Sequence, residues 1–230
     1  MSPFLKTDGR HRTLEGWPMV FTVLVTLSIL VGGTVEFLPL VLVDDNVPTI
    51  ETVTPYTPLE VAGRDIYIAQ GCVSCHSQQI RPFRDEIERY GEYSKPGEAI
   101  YDRPFLWGSK RTGPDLARVG GKYPDLWHVR HMENPRSTSP NSLMPPYHWL
   151  LSKSLDFEGI PAKLNALKAL GTPYSDEEIA ASVDAARAQA AQIARNVQSN
   201  GGPSGLEDKQ IAALVAYLQR LGTDISKTAN

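Results

Sequence analysis

Cys72-Val73-Ser74-Cys75-His76 constrains this chain more than any other stretch of it. Two thiols separated by two residues, with a histidine directly after them, form the attachment pattern of c-type haem. The cysteines add to the two vinyl groups of the porphyrin, and the adjacent imidazole reaches the iron from the proximal side. That order is required, because the imidazole must emerge under the ring that the two thioethers hold. A zinc site would need two further ligands at similar spacing, yet Cys72 and Cys75 are the only cysteines. A redox dithiol of the thioredoxin kind would need a βαβ context, which this region lacks. The motif therefore predicts one covalent haem c and one-electron chemistry.

The second constraint is an apolar run. Across residues 17–43 only Glu36 is charged, and Leu, Val, Ile and Phe dominate, although the chain as a whole has a mean hydropathy of −0.26. As a helix these residues would span roughly 40 Å, enough for the hydrocarbon core of a bilayer. A cleaved signal peptide would have a shorter apolar core and a small-x-small site. This run is longer and passes through Leu42-Val43 into Asp44-Asp45 without one, so it reads as a retained anchor. Lys6, Arg10 and Arg12 precede it, while Asp44, Asp45 and Glu51 follow, with no Lys or Arg before Arg64. The positive-inside rule then puts the N-terminus in the cytoplasm and the rest of the chain outside, where haem c is attached. Glu36 lies toward the outer end beside Gly32-Gly33, where close helix packing could supply it with partners. A net charge of −3 argues against nucleic acid as a partner.

The expected organisation is a cytoplasmic N-terminus at 1–16, a transmembrane helix at 17–43, a linker at 44–56 rich in Pro, Thr and Asp, and a haem domain at 57–230. Thr57-Pro58-Leu59-Glu60 predicts a helix start with a capping box, running to about Ala69 and ending at Gln70-Gly71. Ser204-Gly205-Leu206-Glu207 carries the same signature ahead of Ile211, Leu214, Val215, Leu218 and Leu221, with Gly222 as the stop. Gly63 and Tyr67 on the first helix face Leu214 and Tyr217 on the last in the expected pairing. A glycine permits close crossing, and the rings fill the gaps beside it. Residues 77–112 carry Arg81, Arg84, Arg103, Lys110 and Arg111 with little periodicity, and read as an ordered excursion over one haem edge. Arg81 and Arg84 could neutralise haem propionates or face a partner. Residues 155–200 read as helical: one helix ends at Gly171, and Ser175-Asp176-Glu177-Glu178 caps a long Ala-rich helix. Its stripe of Ile179, Val183, Ala186, Ala190, Ile193 and Val197 is a packing face.

A haem in an electron carrier usually takes a second protein ligand. Met144 is the leading candidate, in a Ser142-Leu143-Met144-Pro145-Pro146-Tyr147 loop stiffened by its prolines. Met132 is the rival, on a short helix expected within 123–134, where methionine more often fills a core. His128, His131 and His148 are the other candidates, the first two being expected at the surface or an interface. Gly113-Pro114-Asp115-Leu116 matches the Gly-Pro-x-Leu loop of class I cytochromes c. In that resemblance the Pro114 carbonyl would accept a hydrogen bond from His76 Nδ1–H, fixing the tautomer of the ligand.

Taken together, these stretches resemble the mono-haem, membrane-anchored subunit II of bacterial cbb3-type cytochrome c oxidases, the CcoO/FixO family. EVAGRDIYIAQGCVSCHSQQIRP at 60–82, GSKRTGP at 108–114, PDLARVGGKYPDLWHVRHMENPRS at 114–137 and SLMPPYHWL at 142–150 carry the resemblance, and Gly32-Gly33-Thr34-Val35-Glu36 is similar to that family's anchor. It implies a mainly α fold, with one N-terminal transmembrane helix followed by a class I cytochrome c-like domain with inserted loops and helices. It also implies haem c held by Cys72, Cys75, His76 and Met144, and a location in the bacterial inner membrane with the haem domain in the periplasm. The implied partners are membrane lipid, a di-haem cytochrome c subunit and a multi-helix catalytic subunit with haem b, haem b3 and copper. Oxygen reduction and proton pumping would reside in that catalytic subunit, leaving this chain as a relay. An independent tethered cytochrome c is the alternative, though it would not need the extra segments at 77–112 and 155–200.

Overall fold

The computed structural model describes residues 14–43 and 48–226. The apolar run forms helix α1 (Pro18–Leu42), with Pro18 in the first turn, where its missing N–H costs nothing. Thr22, Thr26 and Ser28 donate their hydroxyls to the carbonyls of Pro18, Thr22 and Leu24 at 2.8, 2.8 and 2.9 Å. The helix thereby satisfies these three hydroxyls on its own backbone, as an apolar solvent requires. Its span Pro18–Leu40, with a mean hydropathy of 2.0, is long and apolar enough to cross a membrane. The charges that set its expected direction, Lys6, Arg10, Arg12, Asp44 and Asp45, lie outside the described residues.

The chain divides between Pro48 and Thr49 into two compact units. The second contains helices and loops, with no strand among the described residues and a single bridge between Ser154 and Lys209. Its helices are α2 (Pro58–Ala69), α3 (Arg84–Tyr90), α4 (Asp125–Glu133), α5 (Pro135–Thr138), α6 (Ile160–Ala169), α7 (Asp176–Ala180), α8 (Ser182–Ser199) and α9 (Gln210–Arg220). Short 3₁₀ turns at Cys72–Ser74, Pro96–Ala99 and His148–Leu151 join them. The mainly α fold expected from the sequence is therefore present.

The core is built on the crossing of α2 and α9. Thr57 and Glu60 form the capping box, each side chain bonded to the other's backbone N–H, and α2 runs over the expected residues. A methyl group at Gly63 would collide with the carbonyl of Ala213 and lie 2.8 Å from Tyr217 Cβ. Only a residue without a Cβ lets the two backbones approach this closely. Beside the crossing, the Tyr67 and Tyr217 rings sit 5.5 Å apart and tilted by 60°, and Tyr56 joins Tyr217 at 5.7 Å. Leu59, Tyr67, Ile211, Leu214 and Tyr217 are fully buried here. The predicted helix pairing is thus found.

The start of α9 differs from expectation. Ser204 and Glu207 cap nothing, and the helix begins at Gln210 after an extended Lys209. Two backbone bonds explain the delay. Leu155 N–H donates to Asp208 O at 2.8 Å and Gln210 N–H donates to Lys153 O at 3.0 Å. The pairing of these segments holds the chain extended until it is complete. The Ser175 capping box is present, but it opens only the five-residue α7, and the Ala-rich stretch is two helices rather than one. The break falls at Ala181, beside the buried Ser182, whose hydroxyl turns back to the carbonyl of Ile179 at 2.7 Å. The predicted stripe survives the break: Ile179, Ala186, Ala190, Ile193 and Val197 are all buried. They pack within this domain, and α8 lies against α2, α4, α6 and α9. Residues 54–56, expected in a free linker, are fastened to the domain. Arg220 donates to Thr54 O at 2.8 Å, and Tyr174 O–H donates to Tyr56 O at 2.7 Å.

Candidate haem-binding site

Helix α2 stops at Gln70, and Gly71, at φ 72°, reverses the chain into the Cys-x-x-Cys-His turn. The amides of Cys75 and His76 both donate to Cys72 O, at 3.2 and 2.9 Å. One tight turn therefore holds both thiols and the imidazole. Cys72 is buried, Cys75 is exposed, and neither is in a disulfide. Burial pushes the Cys72 thiol up to about 11, so it keeps its proton near neutrality.

Two neighbouring segments clamp this turn. Tyr67 O–H donates to His76 O at 2.9 Å, Gly113 N–H to Cys75 O at 3.0 Å and Leu116 N–H to Ser77 O at 2.9 Å. The Ser77 hydroxyl accepts from the amides of Gln79 and Gly108 at 3.2 and 3.1 Å. Between these bonds lies the main geometric feature of the site. His76 Nδ1 is 2.8 Å from Pro114 O. A carbonyl only accepts, so Nδ1 carries the proton and Nε2 keeps a free lone pair. Gly113 lies flat against the ring: a Cβ there would come within 2.8 Å of both His76 Nδ1 and Nε2. The imidazole is thus fixed in tautomer and in plane, as an iron ligand needs to be. Two thiols on one turn, with a histidine presenting its Nε2 lone pair beside them, fit a c-type haem.

The methionine loop is fastened close by. Met144 is half-buried and packs against the core, with its N–H on Ser142 Oγ at 3.2 Å. Tyr147 N–H donates to Met132 O at 2.7 Å, tying the end of the loop to α4. Trp149 Nε1–H donates to Gln70 Oε1 at 3.0 Å, tying it to the residue just before Gly71-Cys72. The Tyr147 hydroxyl is raised by burial and by the Cys72 and Cys75 thiols, which places it beside them. The loop bearing Met144 and the cysteine turn are therefore neighbours. Met132 is buried in the core beneath α4.

The histidines of α4 do not sit as expected. His128 is 1 % exposed rather than at the surface, edge-on to Trp127 and Tyr123, with no partner for Nε2. Burial holds its imidazole down at about 4, so it is neutral. The cause is register: Leu126, Val129 and Met132 face the core, and residue 128 falls inside the same wide stripe. His131 is half-buried, stacked on Trp127 at 4.6 Å and bonded through Nδ1 to Thr138 Oγ1 at 2.6 Å. Its pKa is lowered by burial first and by the nearby His76 second. His148 is exposed, beside Trp149.

In and beside the arginine-rich segment several arginines are drawn into ion pairs, while Arg84, Arg103 and Lys110 stay exposed. Arg111 bridges Glu86 at 2.6 Å and Asp115 at 3.0 Å, and Arg81 also binds Glu86. Arg118 pairs with Glu98 at 2.6 Å, and the buried Arg64 with Asp102 at 2.9 Å. Arg111 above all draws the Glu86 carboxyl down to about 2, against the opposing effect of desolvation. Asp102 goes the other way, raised by burial more than Arg64 lowers it. Arg84 reaches only the exposed Glu88, at 2.8 Å. Asp115 is the residue that the sequence reading missed. It occupies the variable position of Gly-Pro-x-Leu, where it accepts from Ala117 N–H at 2.8 Å and from Arg111. An acidic residue four after an arginine was the available signal.

A comparison with curated proteins returned no match. The model of one protein family, described as cytochrome c oxidase, mono-heme subunit/FixO, matches residues 11–225, and the chain belongs to that family.

Proposed function

We propose that this chain is the electron-relay subunit of a cbb3-type oxidase. In this reading Cys72 and Cys75 would hold one haem c through thioether bonds, and His76 and Met144 would ligate its iron. Bound there, the haem supplies a one-electron ferric/ferrous couple. The rest is done by the chain's own residues. Pro114 O keeps the proton on His76 Nδ1 and so leaves Nε2 for the iron, while Gly113 lets its backbone press against the ring. Gln70 and Met132 anchor the far side of the methionine loop through Trp149 and Tyr147. With His76 and Met144 both supplied by the chain, this subunit would offer oxygen no binding position. Electrons would come from c-type cytochromes, including a di-haem subunit, and leave to the catalytic subunit carrying haem b, haem b3 and copper. Helix α1 would anchor the chain in the inner membrane, N-terminus inside and haem domain in the periplasm.

The observation that carries this reading is the 2.8 Å contact between His76 Nδ1 and Pro114 O, made directly beside two free cysteines on one turn. A denaturing gel stained for haem tests the attachment. The wild-type chain is expected to keep its stain through denaturation, and Cys75→Ala to lose most of it. A Cys75→Ala chain that stains like wild type would remove the thioether assignment.

A further inference from the structure

The loop that carries Pro114 has little regular structure to hold it. Residues 111–117 form neither helix nor strand, and Pro114 has no N–H to donate. Main-chain bonds fasten the loop to the cysteine turn at two points, Gly113 N–H to Cys75 O at 3.0 Å and Leu116 N–H to Ser77 O at 2.9 Å. Two side chains supply the rest.

The buried Asp115 carboxylate uses one oxygen within the loop, accepting from Ala117 N–H at 2.8 Å. Its other oxygen reaches across to the chain that follows His76, accepting from Gln79 N–H at 3.2 Å. Arg111 donates from Nε to that same oxygen at 3.0 Å, and from a terminal nitrogen to Gln79 O. The loop therefore grips both polar groups of the Gln79 backbone. Arg111 is itself fixed by Glu86 of α3 at 2.6 Å, and it lies over the Tyr90 ring, 5.4 Å from its centre. Its planar guanidinium serves Asp115, Gln79 and Glu86 at once, a span that a lysine ammonium does not cover. The contact of His76 with Pro114 lies inside this frame. Cys75 and Gln79 flank it on one side, Gly113 and Asp115 on the other.

From this arrangement we propose that Asp115 and Arg111 are positioning residues for the haem ligand. By tying Gln79 to the loop they hold the Pro114 carbonyl on His76 Nδ1–H. Through that bond they set the basicity of the imidazole, and with it the reduction potential of the iron it would bind. The proposal rests on the haem reading above and adds to it the two side chains that tune the ligand. A tight bond gives His76 more imidazolate character, which favours the ferric state, so loosening it raises the potential. The sign separates this role from a plain charge effect. Asp115→Asn removes a negative charge near His76 and Arg111→Gln removes a positive one. Charge alone would raise the potential in the first variant and lower it in the second. Loss of the tie raises it in both.

The test is potentiometry on the haem-loaded full chain in mild detergent, read at the haem c band, with hydrogen exchange of His76 Nδ1–H followed by NMR in the reduced form. Both variants are expected to show a higher potential. Their Nδ1–H should exchange roughly ten- to a hundredfold faster, the effect of one lost charge-assisted hydrogen bond. Val197→Ala, a neutral loss in the core beside α8, should lower the melting temperature and move neither reading. Where Arg111→Gln does not fold, Arg111→Lys, which keeps the charge and loses the fork, should show the same rise. Potentials that move in opposite directions in Asp115→Asn and Arg111→Gln overturn the proposal. Haem-loaded variants with wild-type potential and exchange overturn it as well, and leave the haem reading standing. A wild-type chain that carries no covalent haem overturns that reading and this proposal with it.

Discussion

At the scale of single residues, the site depends on groups held in one protonation state. Met144→Ala is expected to open the iron to added ligands such as imidazole and to lower the reduction potential, because a thioether ligand favours the ferrous form. An unchanged low-spin spectrum in that variant would move the ligand to another side chain, Met132 or a histidine first. Two buried groups give stability a pH dependence. The His128 imidazole is held at about 4, below its ordinary 6.5, so between these values the unfolded chain binds a proton that the folded chain refuses. Stability therefore falls as pH drops from 6.5 toward 4. Glu86, held at about 2 against an ordinary 4.5, extends the loss through the more acid window. Melting temperatures of His128→Gln should show a shallower slope above pH 4 than wild type, and an equal slope would remove His128 from the account. Of these features, the contact of His76 with Pro114 was legible in the sequence, because the order of the two motifs predicts it. His128 was not, since the width of a buried stripe is set by what packs on it. Nor was the pairing of Arg111 with Glu86, which lies 25 residues away in the sequence.

At the scale of elements, local signals worked where nothing competed with them. The α2 capping box formed as written, and Gly222, at φ 75°, follows the last turn of α9. The similar signature at Ser204–Glu207 failed, because the bonds of Asp208 and Gln210 to Leu155 and Lys153 outweighed a cap worth only about 1 kcal/mol. Likewise the Ala-rich stretch has no helix breaker in its composition, and it broke where a buried hydroxyl needed an acceptor. The α2–α9 crossing is the element on which the domain depends. Gly63→Ala forces a methyl group into the Ala213 carbonyl and is expected to cost about 1–3 kcal/mol, the usual range for overpacking. Chemical denaturation would measure it. A variant as stable as wild type would mean that the helices separate freely, and would remove the close crossing from the account.

At the scale of the whole molecule, the chain joins a helix fit to span a membrane to a helical domain shaped around one Cys-x-x-Cys-His turn. The domain exceeds a minimal cytochrome at 77–112 and 155–200. Much of that excess is structural: the first segment is locked by ion pairs, and the second lays α8 along the core helices. Of the arginines expected to meet haem propionates or a partner, Arg81 binds Glu86 and Arg84 reaches only the exposed Glu88, and both stay at the surface. In the proposed function this domain works inside an oxidase and not alone. The most direct measurement is a reduced-minus-oxidised spectrum of whatever co-purifies with the tagged chain in mild detergent, together with oxygen uptake from a c-type donor. Haem b signals alongside haem c, with oxygen consumed, are the predicted result. Haem c alone in a small monodisperse particle, from membranes in which the chain is fully assembled, would contradict it.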